Sequence, residues 1–422
     1  MPKKSRIQEK IIEGIIYISG TVTTLVVLLI IFFLFKEGIG LFFHSPLEEG
    51  YAVALHPENP INELDTEQIE DIFNREIDNW QALGGPDREI LRFSPNEIEE
   101  IFTKDQLGPD FKNLPSLVES YALDHPEIIV AMPDIYLSPK LRRMELKNLA
   151  FFSDFIADKE WYPTTSPVHS FGVLPIILGT LWVCAGALMF AIPAGIIASI
   201  YLAEIAHPSV RNVIMPLIEL LAGIPSVIYG FFGLVVVVPV IQNSFGLSVG
   251  ETALAGSILL GIIALPIIVA ISEDAIRSTP RELKESSLAL GANHWQTIYR
   301  VILPYSISGI VSATILGVGR TVGETMAVLM VTGNAAQIPT SFLMPVRTIT
   351  ATVAAELGEA PQGGLHYESL FVLACILFVI TFGLNLIADQ VINKSGQKKN
   401  KMNKKVTQSL VFAVFTGTTI LV

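Results

Sequence analysis

Arg320 and Glu324 fall in the run Gly319-Arg320-Thr321-Val322-Gly323-Glu324-Thr325, inside a stretch that is otherwise apolar. Four residues apart, they share one face of any helix that runs through both. A charge near the centre of a bilayer costs roughly 2.5–3.5 kcal/mol on insertion scales. Pairing lowers that cost without cancelling it, so such residues face a pathway or a protein interior. A structural ion pair is the other reading. Thr321 and Thr325, in the same run, are grouped with the pair as candidate path residues. Glu219 is a further acid within an apolar stretch, ahead of Gly223, Pro225 and Gly230. Glycine and proline there permit a kink or a close helix approach, and packing alone would also account for them.

A second group carries mechanics rather than charge. Glu285, Ser286 and Ser287 are followed by Gly291 and then by Leu303 and Pro304. Residues 281–290 can form one short helix, with Gly291 allowing the turn that ends it. Residues 294–301 can form a second, and Pro304 opens the next apolar run. Two short helices joined at a glycine make a compact knob that can press into a groove on a cytoplasmic partner. The chain has no Gly-x-x-x-x-Gly-Lys-Ser/Thr loop, so nucleotide bound by that device belongs to another chain. Cys184 and Cys375 both lie in apolar runs and read as small buried hydrophobes. No nucleophile–base pair or metal cluster stands out, and an enzyme is the least favoured class.

These residues need membrane helices to position them. Of the 422 residues 51% are hydrophobic and only 16% charged, against about 25% charged in an ordinary soluble protein. The net charge of −12 argues against nucleic acid as a partner. A span needs roughly 20 apolar residues, since a helix rises about 1.5 Å per residue through about 30 Å of hydrocarbon. Six stretches qualify: 15–35, one within 171–203, 220–241, 252–271, 305–332 and 370–388. The first is too long for a signal-peptide core and reads as a retained anchor. Lys3, Lys4, Arg6, Lys10, Arg211, Arg277, Arg281, Lys284, Arg300 and the lysines from Lys394 to Lys405 fall on one side if six spans alternate. That side is cytoplasmic by the positive-inside rule. The loop 242–250 has no basic residue and 334–368 has only Arg347, which puts both outside. Broken helices in repeated halves are not evident, which weighs against a secondary transporter.

The chain divides into a cytoplasmic N-terminus with the first span (1–44), an extracytoplasmic insert (45–167), a core with five spans (168–393) and a basic linker (394–422). The linker's apolar end reads as the start of a further, truncated or fused, helix. In the insert, Asp65 can cap a helix with Gln68 at its third position. Ser94-Pro95-Asn96-Glu97 is a capping box with proline in the first turn. The run from Ile128 to Met132, bounded by Pro126 and Pro133, reads as a short buried strand. A small α/β domain follows.

Glu285-Ser286-Ser287, three residues, Gly291, nine residues, then Val301-Ile302-Leu303-Pro304 resembles the EAA loop of ABC-transporter permeases. Serine stands for both alanines and Val301 for isoleucine. The run from Gly319 to Thr325 resembles the signature of phosphate-specific permeases of the Pst system, with Thr321 in place of alanine. Met326-Ala327-Val328 looks like its PstC-type subunit. Phe171-Gly172-Val173-Leu174-Pro175, Gly179-Thr180-Leu181, Tyr201-Leu202-Ala203-Glu204 and the stretch from Ile218 to Gly230 are similar to the same subunit. The resemblance spans about 171–393 plus the first span. It implies an all-α integral membrane protein with the six-helix type I ABC importer permease fold, plus the small α/β insert, moving inorganic phosphate across a bacterial cytoplasmic (inner) membrane. It implies a second, PstA-like permease, a dimer of a PstB-like ATPase that carries ATP-Mg, an extracytoplasmic phosphate-binding protein and surrounding membrane lipid. This chain would bind no cofactor. Arg320, a permanent cation, suits phosphate oxygens. Glu324 can accept a hydrogen bond from a phosphate hydroxyl that sulfate lacks. The same fold importing molybdate or sulfate, or a phosphate-sensing signalling partner, are the other readings. Within the insert, Asn59 to Leu64, Gln68 to Phe73, Asn79-Trp80, Gly84 to Asp87 and Ile90 resemble part of a phosphate-binding protein. That family's Ser-Gly-Thr cradle is missing after Arg92, where Phe93-Ser94-Pro95 stands. Docking or gating is therefore favoured over phosphate binding.

Overall fold

The computed structural model describes residues 3–43, 50–144, 152–163, 170–387 and 390. The basic linker and its apolar end lie outside the described residues. Among the described residues six helices are long and apolar enough to cross a membrane: Ile12–Gly40, Leu174–Ile205, Ser226–Phe245, Ala253–Arg277, His294–Val322 and Leu365–Ile387. They are called spans one to six below. The chain forms two compact units, Met1–Leu174 with Glu356–Cys375, and Pro175–Ala355 with Ile376–Val422.

The insert belongs to the first unit. Its strands β1 (Tyr51–Leu55), β2 (Leu91–Phe93), β3 (Ile128–Pro133) and β4 (Arg142–Arg143) form one sheet in the order β2-β3-β1-β4. β3 runs antiparallel to β1, with Val53 opposite Ala131, and parallel to β2. Alternate residues serve two cores. Val53, Leu55, Ile129 and Ala131 pack with Ile69, Ile72 and Trp80 on one face. Ala54, Ile128, Val130 and Met132 pack with Phe93, Val118 and Ala122 on the other. Burial on both faces explains why β3 reads as an unbroken apolar run. The two expected helix starts are present. The Asp65 N–H donates to Gln68 Oε1 at 3.0 Å, ahead of the helix Thr66–Phe73. The Ser94 N–H donates to Glu97 Oε2 at 2.7 Å and Asn96 N–H to Ser94 Oγ at 3.3 Å, although the helix after them, Ile98–Ile101, is short. In the same unit span one meets the start of span six: Phe33 stands edge-on to Phe371 at 5.6 Å, and the Cys375 thiol donates to Leu34 O at 3.5 Å.

The second unit is organised around span four, where Leu259, Ala264 and Ile268 are fully buried. Three expectations change here. First, span three starts only at Ser226. The residues before it form a separate elbow helix, Pro208–Ala222, closed by Gly223, so Glu219 lies on the elbow rather than within the span. Second, the second knob helix does not end before Pro304; it runs without interruption from His294 into span five. Pro304 has no N–H to give and its ring would strike the carbonyl four residues back. A wider turn, Ile298–Ile302, absorbs this by letting the Leu303 N–H reach Ile298 O. The same device, Gly233–Val237, precedes Pro239 in span three. Third, the stretch 305–332 is interrupted. The helix Leu303–Val322 stops at Gly323, and a new one, Met326–Val331, begins after Thr325.

The candidate path and the docking knob

The break that follows span five lies beside the middle of span four. Gly309 packs on Ala275 and Gly317 on Ile268, while Thr332 beyond the break packs on Gly256. Span four itself runs Ala253–Arg277, so residues 323–325 fall opposite its centre. A second break sits alongside. The elbow helix ends at Gly223, and Ser226–Phe232 begins after Pro225. The two short outgoing helices run side by side, with Gly230 against Ala327 and Met330 and Gly233 against Val331. A Cβ on Gly230 would come within 3.1 Å of the Ala327 Cα, so a larger residue there would push the two helices apart by a few tenths of an ångström. Span three is therefore entered, and span five left, through a broken segment, which sequence inspection had not revealed.

Glu324 occupies the break after Val322. Its side chain is buried, and Oε1 accepts from the N–H groups of Thr325 at 3.2 Å and Ala327 at 3.5 Å. Thr350 Oγ1 donates to its carbonyl at 2.8 Å. Arg320, in the last turn of the preceding helix, is exposed, within electrostatic reach of the Tyr229 hydroxyl. Among the described residues no ion pair joins Arg320 to Glu324. The expected shared helix face does not form, because the helix ends between them. Thr325 stays at the break, its Oγ1 donating to Gly323 O at 3.3 Å. Thr321 is buried and donates to Gly317 O at 2.8 Å within its own helix. Glu219 is exposed on the elbow helix, outside the break that holds Glu324.

At the other end the knob forms as a helix, Arg281–Ala289, with Glu285, Ser286 and Ser287 on it. Gly291 takes φ +87, a left-handed turn that favours glycine. Asn293 and Gln296 form a capping box that starts the next helix. The Ser287 and Thr297 hydroxyls meet at 3.0 Å across the turn, and the buried Ile298 and Ile302 join Leu303 in one cluster. The tip stays apolar and open: Leu290 is 89% exposed and Trp295 62%. Large apolar side chains displayed this way mark an interaction surface.

A family model described as binding-protein-dependent transport system inner membrane component matches residues 191–395. The probable ABC transporter permease protein YqgH of Bacillus subtilis (strain 168) is 38% identical over 248 residues, covering 59% of this chain and 80% of the relative. The phosphate transport system permease protein PstC of Mesorhizobium japonicum is 39% identical over 257 residues, covering 56% and 77%. The PstC of Haemophilus influenzae is 33% identical over 270 residues, covering 60% and 84%. This chain belongs to the PstC-type permease family. Such relatives are permeases rather than enzymes.

Sequence reasoning missed two charge pairs at one end of this PstC-type permease. Lys284 on the knob reaches Glu204 Oε1 at 2.5 Å, and His294 Nε2 lies 3.2 Å from the Glu204 carbonyl, joining the knob to the end of span two. Arg211 on the elbow grips Glu273 in span four. Their partners lie 80 and 62 positions apart, beyond any local spacing rule. The one local signal was Glu273 with Arg277, one helical turn on and 3.9 Å away. In the insert, Arg92 donates to the carbonyls of Ile72 and Ile77 and to the Asp78 carboxylate.

Proposed function

We propose that this PstC-type permease moves inorganic phosphate inward across the bacterial cytoplasmic membrane as one half of a heterodimer, driven by ATP hydrolysed elsewhere. The observation that carries the reading is a buried carboxylate, Glu324, in a break opposite the middle of span four, with an exposed guanidinium, Arg320, in the last turn of the helix before it. Arg320 supplies a permanent positive charge to the phosphate oxygens. Glu324, with its carboxylate set by backbone N–H groups, accepts a hydrogen bond from the hydroxyl of monohydrogen or dihydrogen phosphate. Sulfate, fully ionised at neutral pH, offers no such proton and meets a bare negative charge instead. The remaining machinery follows from the knob. Leu290 and Trp295 enter a groove on one copy of a PstB-like ATPase dimer holding ATP-Mg, and a PstA-like permease supplies the facing half. The lysine- and arginine-rich ends lie in the cytoplasm. The insert lies outside, where it docks or gates an extracytoplasmic phosphate-binding protein; its Arg92 is engaged with three partners of its own domain.

The test is uptake of radiolabelled phosphate and sulfate into proteoliposomes holding the assembled transporter, with ATP inside and the delivery protein outside. Arg320→Ala is expected to lower phosphate uptake about tenfold, the size of one lost charge-assisted hydrogen bond. Glu324→Gln, which can donate to sulfate, is expected to narrow the preference for phosphate over sulfate. Unchanged uptake and unchanged preference in both variants would reduce the two residues to structural parts.

A further inference from the structure

Glu273 is fully buried near the end of span four. Arg211 holds it with two prongs, Nε at 2.7 Å from Oε1 and Nη2 at 3.3 Å from Oε2, while Arg277 Nη1 stands 3.9 Å away. Glu273 in turn holds the Arg211 guanidinium above its usual range by that hydrogen bond; Asp274 and Glu219 add smaller attractions. A carboxylate taken wholly out of water is expensive, and apolar residues of like volume often stabilise as well or better. Leu202, Met215 and Val269 already pack the elbow to the spans at this level. The charge pair is thus more than the packing requires.

Its place in the chain is informative. Beyond Glu273, span four ends at Arg277, and the Thr279 hydroxyl meets Ser306 at 3.1 Å just before the knob helix begins at Arg281. Beyond Arg211, the elbow helix runs to the break at Gly223, and Tyr229 Oη donates to Leu221 O at 2.8 Å across it. The residue after Tyr229, Gly230, lies against Ala327, three positions past Glu324. We infer that the Arg211–Glu273 pair is the joint through which movement of the knob reaches the broken segments beside Glu324, so that both are positioning residues for transport. Resting on the permease reading above, this goes beyond it by naming where force crosses from the docking surface to the path.

A joint that only packs and a joint that transmits differ in one measurable ratio, phosphate delivered per ATP hydrolysed. Arg211→Met combined with Glu273→Met refills the space without the directional bond, and such replacements are often tolerated by the fold. The double variant is expected to assemble and hydrolyse ATP while the ATP used per phosphate rises about tenfold. The swapped pair Arg211→Glu with Glu273→Arg is expected to recover part of the ratio, which simple damage would not. A parental ratio in the double Met variant overturns the inference, as does an equal loss of uptake and hydrolysis in both double variants. A parental transporter that moves no phosphate would instead overturn the permease reading, and the two failures stay distinct.

Discussion

Arg320 and Glu324 were legible as chemistry, because two charges in an apolar run are costly wherever that run is buried. Their relation was not. One glycine at 323 is too weak a signal to end a helix. The break is held by groups far along the chain, chiefly the Thr350 hydroxyl on the Glu324 carbonyl. A different residue yields a prediction from charge alone. In the insert Glu119 accepts from Lys140 Nζ at 2.6 Å and from the Ser138 hydroxyl. Lys140 first, then Ser138, hold its carboxyl below the usual carboxylate value. A group whose folded value is depressed stabilises above the ordinary carboxylate pKa of about 4.3 and loses that contribution as pH falls through the folded value. Glu119→Gln should therefore speed hydrogen exchange in the helix Leu114–Asp124 at neutral pH. The gap between variant and parent should close on acidification below about pH 4. A gap that stays constant with pH would show that the loss is packing rather than charge.

At the scale of elements, the sequence carried most where a local rule sets the outcome. The capping boxes at Ser94 and the Asp65–Gln68 pair, the β3 strand and the knob glycine all depend on near neighbours. It carried less where a proline is accommodated rather than obeyed. Pro304 marks no helix start, because the wide turn before it keeps the helix whole. The knob invites a direct test. The Gly291 N–H donates to Leu288 O at 2.9 Å with φ at +87. Proline would fix φ near −65° and remove that donor. An added Cβ meets nothing within 4 Å, so damage should stay in the knob. Gly291→Pro is expected to keep the melting temperature of the detergent-purified chain within a few degrees while abolishing co-purification of the ATPase. Gly291→Ala, strained by about 1–2 kcal/mol in the left-handed region, should weaken that association without abolishing it. An ATPase retained in full by the proline variant would move the docking surface elsewhere.

For the whole molecule, hydropathy located the six candidate spans of the described residues, and the charge pattern predicts their orientation. Hydropathy works because an unsatisfied backbone is intolerable in hydrocarbon, leaving helices as the economical solution for long apolar runs. Orientation rests on a separate term, the retention of lysine and arginine on the cytoplasmic side. It can be read by single cysteines against a background lacking the native thiols, of which Cys184 is buried and Cys375 partly so. Ser116 on the insert, Ser244 in the last turn of span three, and Asn212 on the elbow are all exposed. In intact cells a membrane-impermeant maleimide should label Ser116→Cys and Ser244→Cys. Asn212→Cys should react only after permeabilisation. The elbow and the loop 246–252 flank the same span, so labelling of both from one side would break the topology outright. Labelling of Asn212→Cys alone from outside would invert it, and the knob could then meet no cytoplasmic engine.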